Sequence, residues 1–174
     1  MKKNLQLMAD YNRQMNVHVY EKASSLSEQA LIENRGAFFG SILATLNHIL
    51  VGDIIWLKRF SAQWPLPSLA YLENIEMPQA LDVILYSKLS LLTKVRVEVD
   101  ETLIAFVSAL TEPMIDEPLV YKNTKGDGFV KNSGFILQHV FNHQTHHRGQ
   151  VTALLCQAGV ELGATDLLMV IDDE

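Results

Sequence analysis

The pattern of apolar and polar positions predicts four long helices. In the first, over roughly 3–24, Leu5, Met8, Tyr11, Met15 and Val19 recur at spacings of three and four, which places them on one helical face. The second covers roughly 37–62 and opens with the most apolar run of the chain, AFFGSILATLNHILVGDIIWL; it stops before Pro65 and Pro67, which lie in a loop. The third is expected to start near Pro78, a residue suited to a first helical turn, and to run to about 110. Within it Leu85, Leu92, Val99 and Phe106 repeat every seven residues, as in the seam of a bundle, and Pro113 lies beyond its end. The fourth, roughly 133–158, stops at Gly159, which suits the left-handed residue that closes many helices.

Between the third and fourth helices lies EPLVYKNTKGDGFVKNSG. Leu119, Val120 and Tyr121 favour extended backbone, NTKGDG is turn chemistry, and Phe129 and Val130 can return, so a loop or small hairpin is expected. The tail, 160–174, ends in LLMVIDDE and is expected to pack its apolar residues on the bundle or on a partner. The fold class that fits is all-α: a four-helix bundle with a long connection or small hairpin between its third and fourth helices, formed by 1–174 as a single domain.

Composition narrows the function classes. Net charge is −6 and the pI about 5.5, so the basic footprint that phosphate neutralisation needs is missing and no direct nucleic-acid partner is expected. The one cysteine, Cys156, excludes a disulfide within the chain and a thiolate zinc knuckle, and is expected to pack as a small apolar residue. The start has two lysines but no apolar core before Asp10, so no signal peptide is read. The 37–57 run is long enough for a bilayer, but Asn47, His48 and Asp53 within it are expensive in lipid, so a buried helix of a cytoplasmic, non-membrane protein is expected.

The chemistry concentrates in HVFNHQTHHRGQ, residues 139–150, which holds four of the six histidines. The helical seam here runs Ile136, Val140, His143, His147, Val151, Leu154, with spacings of 4, 3, 4, 4 and 3. His143 and His147 therefore stand where a bundle helix normally carries Leu or Val. Burying two imidazoles is costly unless each finds a partner, and a shared divalent cation satisfies both. The candidate third ligand is His48, whose same-face neighbours Ser41, Ala44, Thr45, Val51, Gly52 and Ile55 are mostly small and leave room above the ring. Three neutral nitrogens with open positions is the composition of a catalytic metal site rather than a closed structural one.

Around that triad, His139 and His146 fall nearer the flanks and read as residues supporting the ligands or as surface residues, with His139 a candidate for supporting the site or meeting substrate. Asp53 reads either as an ion-pair or cap residue or as a carboxylate supporting the site. Arg148 reads either as a binder of an anionic substrate group or as a partner for Asp53 or another acid. Glu98, Asp100 and Glu101 read as a solvated face, and His18 as a weak ligand candidate. There is no ExxH pair for a di-iron carboxylate bundle, no HExxH, no GxSxG and no P-loop.

The NHxxxxDxxW pattern at 47–56, the NHxxHHRGQ pattern at 142–150 and TDLL at 165–168 together make nearly the whole chain resemble the DinB/YfiT-like family. That resemblance implies a four-helix bundle holding one metal ion, zinc or nickel, on His48, His143 and His147. It also implies a homodimer, and in some relatives a thiol-dependent transferase or isomerase activity using low-molecular-weight thiols. Relatives often carry another residue at the position of His146, which argues against it as a ligand. The family's link with DNA damage concerns when members are made, not DNA binding. The functional expectation is a metal-dependent enzyme, a thiol-dependent transferase or hydrolase, acting on a small molecule. The alternative is a non-catalytic metal-binding module with a structural or stress-response role.

Overall fold

The computed structural model describes residues 1–171. Its elements are α1 (Lys2–Ala23), α2 (Glu28–Ile32), α3 (Ile42–Gln63), α4 (Leu89–Ala109), α5 (Glu112–Asp116), β1 (Pro118–Lys122), β2 (Gly128–Asn132) and α6 (Ser133–Gln157), with 3₁₀ turns at Pro67–Asn74 and Leu167–Val170. The four long helices form the bundle. α1 packs on α4 and α6, and α3 packs on the same two helices. α1 and α3 are therefore diagonal, as are α4 and α6. Each diagonal pair is joined by a long connection, 24–41 and 110–132, because a short loop joins only neighbours.

Local chemistry sets the helix ends. Ser41 caps α3, its Oγ accepting from the Ala44 N–H. Residues 37–40 are thus outside the helix, and the second helix begins later than its apolar run suggests. Asn132 caps α6 in the same way through Phe135 N–H. Gly159, at φ +82°, closes α6: its N–H donates to Cys156 O and that of Val160 to Leu155 O, the paired bonds of a Schellman motif. β1 and β2 pair antiparallel in the hairpin expected between the third and fourth helices, with Val120 opposite Val130. The bundle core is filled by large side chains such as Leu50, Ile54, Phe60, Leu92, Val99, Phe106 and Phe141.

Several expectations need correcting. α4 starts at Leu89, not near Pro78, because the backbone of the preceding segment bonds to α3 side chains instead of to itself. Asn47 donates to Tyr86 O at 3.0 Å and accepts from Tyr86 N–H at 3.0 Å. Asp100 is buried at 2% exposure, whereas Glu98 and Glu101 face solvent, so the acidic run is not one solvated face. Cys156 is exposed rather than packed. In the tail, Leu162 is buried and Thr165 O accepts from the Tyr11 hydroxyl at 2.6 Å, while Leu168, Met169 and Ile171 remain exposed. Residues 172–174 of that tail lie outside the described residues. No helix among the described residues is long and apolar enough to cross a membrane.

Candidate metal centre

α3 and α6 cross at Gly52. A Cβ built there would lie 2.8 Å from His143 Cε1, so the missing side chain is what lets this imidazole approach α3. Opposite stands His48, one turn earlier on α3. Its Nε2 lies 3.0 Å from His143 Nε2 and 3.1 Å from His147 Nε2. These are the three histidines that the helical seam singled out, and the fold gathers their ring nitrogens within 4.8 Å of one another.

The outer nitrogens decide the tautomers. His48 Nδ1 lies 2.7 Å from Leu81 O; a carbonyl only accepts, so Nδ1 carries the proton. His147 Nδ1 donates to Gln150 Oε1 at 2.8 Å. The Nε2 atoms of His48 and His147 are thus both lone-pair acceptors, facing one another. His143 can offer one N–H to one of them at most, which leaves at least one acceptor pair without a proton between them. A divalent cation meets that need. Two nitrogens each 2.0–2.1 Å from one zinc ion lie roughly 2.8–3.4 Å apart, which brackets both separations measured here. The donor set therefore fits a metal ion.

Electrostatics favour the neutral rings that a metal requires. Burial, and then the neighbouring His147 and His48, push His143 down to about 3. Burial also lowers His48, against the opposing pull of its bond to Leu81 O, and lowers His147 against its bond to Gln150. Phe39 stacks on the His48 ring, with centroids 3.9 Å apart at 22°, and meets His147 edge-on. His48 is buried at 6% exposure; His143 and His147 are half-buried, so solvent reaches the cluster from the α6 side.

The remaining candidates lie elsewhere. Asp53 makes no bond to any triad imidazole. Its Oδ2 accepts from Arg96 Nη1 at 2.5 Å and from Gln144 Nε2 at 2.8 Å, so the ion-pair reading holds. Arg148 turns the other way as well. It donates to Asn12, to Gln144 Oε1 at 3.1 Å and to Thr145 Oγ1 at 3.3 Å, and lies over the Tyr11 ring, with no carboxylate in ion-pair reach among the described residues. It is therefore not the ion-pair partner of Asp53 or of another acid among the described residues. His139 is exposed on the flank, 6.0 Å from His143 between ring centroids and 5.6 Å from Trp56. His146 packs edge-on against His147 at 4.8 Å. His18 bonds Leu162 O at 2.6 Å, away from the triad.

Sequence reasoning missed Phe39, Leu81, Gln150 and the role of Gln144. Only Gln150 carried a usable signal, since it sits three residues after His147 and shares its helical face. The Leu81 contribution comes from a main-chain carbonyl, which no residue pattern reveals.

The model of the DinB family matches residues 1–174. Protein DinB of Bacillus subtilis (strain 168) is 27% identical over 158 residues, covering 90% of this chain and 87% of that protein. With its helical fold and gathered histidines, the chain belongs to the DinB family.

Proposed function

We propose that this protein binds one divalent metal ion, zinc or nickel, through the Nε2 atoms of His48, His143 and His147, and that it is a metal-dependent enzyme of the thiol-dependent transferase or hydrolase class. The observation that carries the metal reading is the convergence of three nitrogens of which two are acceptors already fixed by Leu81 O and Gln150 Oε1. The enzyme reading is supported by the number of ligands and by their exposure. Three neutral ligands leave coordination positions open, and two of those ligands are reached by solvent. Such an ion supplies Lewis acidity, lowering the pKa of a bound water or thiol.

The chain's own residues have distinct parts in this reading. Leu81 O and Gln150 orient two imidazoles. Gly52 admits the third. Phe39 covers the His48 face and keeps water from it. His139 is exposed on the same helix, 6.0 Å from His143 between ring centroids, and is offered as a substrate-side residue. A homodimer is proposed as well, supported by the exposed apolar side chains Leu168, Met169 and Ile171 of the tail; light scattering tests it.

Elemental analysis of untagged protein, wild type beside His143→Ala, tests the metal. About one ion per chain, lost in the variant, is expected. Wild type that takes up no zinc, nickel or manganese would overturn the reading. Metal-loaded protein assayed with low-molecular-weight thiols and electrophiles, and with ester substrates, tests the enzyme. A second reading treats the ion as a staple between α3 and α6, because the ligands bridge those two helices. Loss of thermal stability on chelation, without turnover in any assay, would favour it.

A further inference from the structure

Four of the five arginines have partners in this fold. Arg13 pairs with Glu101 and Arg35 with Glu33; Arg96 pairs with Asp53 and Asp100, and Arg148 is held by amide and hydroxyl oxygens. Arg59 is the exception. Among the described residues no carboxylate lies in ion-pair reach of it, and none of its N–H groups finds an acceptor. In a chain with 20 acidic and 14 basic residues, an arginine left without an acid is not explained by a shortage of acids.

Arg59 is nevertheless held firmly. Its guanidinium carbon lies 4.5 Å from the Trp56 ring centroid and 4.8 Å from that of Tyr121, a cation–π contact with α3 on one side and β1 on the other. These ring contacts hold the guanidinium in place but use none of its five N–H donors. The side chain is half-buried, and burial lowers its pKa. It lines an open cleft of about 610 Å³ between α3, the 77–79 segment and the hairpin. Lys58 and Lys122 line the same cleft, with Thr124 at its hairpin edge, and among the described residues no acidic side chain does. Lys58 Nζ spends one donor on Leu72 O at 2.7 Å, which anchors it at the wall.

We propose that this cleft is a binding site for the carboxylate or phosphate group of a small molecule, with Arg59 as the planar, pre-oriented fork and Lys122 and Lys58 as flanking charges. A planar guanidinium with free donors matches two oxygens of either anion, and its position between two rings lowers the ordering cost of binding. Arg59 lies eleven residues beyond His48 on α3, about 16 Å along the axis, so this site is separate from the histidine cluster and its existence does not depend on a metal there.

Trp56 reports on the site because it touches Arg59. In a Trp64→Phe background it is the one tryptophan left. Titration with inorganic phosphate, and separately with succinate, is expected to change its fluorescence saturably, whereas sodium chloride at matched ionic strength leaves it flat. Saturation by either anion supports the site, and the relative affinities show which oxygen geometry it prefers. Arg59→Met is expected to weaken binding by about tenfold or more, and Lys122→Gln, an exposed hairpin position, by about threefold with an unchanged melting temperature. If Arg59→Met fails to fold, Lys122→Gln decides alone. A response no different from that to chloride, or full affinity in the Lys122 variant and in a folded Arg59 variant, would overturn the proposal.

Discussion

α6 carries two polar pairs on adjacent faces, His143/His147 and Gln144/Arg148, and they meet opposite fates. Gln144 and Arg148 turn into the bundle centre, where they join Asn12 and Asn16 of α1, Asp53 of α3 and Arg96 and Asp100 of α4. That cluster holds two arginines and two aspartates, so its formal charge closes to zero, while Asn12 Nδ2, Asp53 Oδ1 and Arg96 Nε find no hydrogen-bond partner. Burial pushes Asp53 up to about 6 against the pull of Arg96, while Asp100 and Asp53 outweigh burial and hold Arg96 above its ordinary value. The histidine cluster, one residue away along the helix, is made of neutral rings whose nitrogens meet as acceptors. A buried polar cluster whose charges balance one another serves the fold. One whose lone pairs face each other without a proton between them could hold a cation.

The comparison breaks most visibly at Asp53. Asp53→Ala leaves Arg96 under-compensated in the core and removes an acceptor from Gln144; a loss of about 3–5 kcal/mol is expected in urea unfolding. A loss under about 1 kcal/mol would mean the network is not closed. The histidine cluster is expected to respond to added metal instead. Zinc at a hundredfold excess over its Kd is expected to stabilise wild type by about 2.7 kcal/mol and to leave His143→Ala unmoved. Equal stabilisation of both proteins would place the ion elsewhere.

Gly52→Ala separates helix stability from site geometry. Alanine favours the helix by about 1 kcal/mol, but its Cβ meets His143 at 2.8 Å, and overpacking costs about 1–3 kcal/mol. Melting temperature should therefore change little while zinc affinity falls; unchanged zinc affinity would show that His143 has room to move.

The smallest effect is in acid. His143 is held at about 3 in the fold, below the ordinary 6.5, so between those values the unfolded chain binds more protons and stability falls as pH falls. Asp53, raised to about 6, acts in the opposite sense below that pH. Metal-free wild type compared with His143→Gln isolates the histidine. Wild type should lose more stability between pH 6.5 and 5.5, by no more than about 1.4 kcal/mol. Parallel curves would contradict the buried, neutral ring.

The four long helices were legible because each buries a continuous stripe, and the period of that stripe survives in the residues. The histidine triad was legible for the same reason, since imidazoles occupy seam positions of two helices. What escaped was decided by main-chain groups and by orientation within a face. Residues 78–88 contain apolar residues at helical spacings, yet Asn47 and His48 claim their backbone groups. Asp100 sits in the same acidic run as Glu98 and Glu101, but four residues after buried Arg96 and three before buried Leu103 it falls on the stripe that packs inward. Arg148 follows His147 directly, and one step along a helix rotates a side chain by about 100°, which is enough to take it out of the site.

The bond from His48 to Leu81 O has a consequence for variation among relatives. A carbonyl is present whatever residue occupies position 81, so point substitutions there leave this support in place. Changes in the length or stiffness of the segment between Pro78 and Lys88 do not, because they move the oxygen itself. Insertions and deletions in this connection, rather than exchanges of side chains, are the natural dial for the grip on His48, and transplanting the segment between homologues is the direct way to turn it.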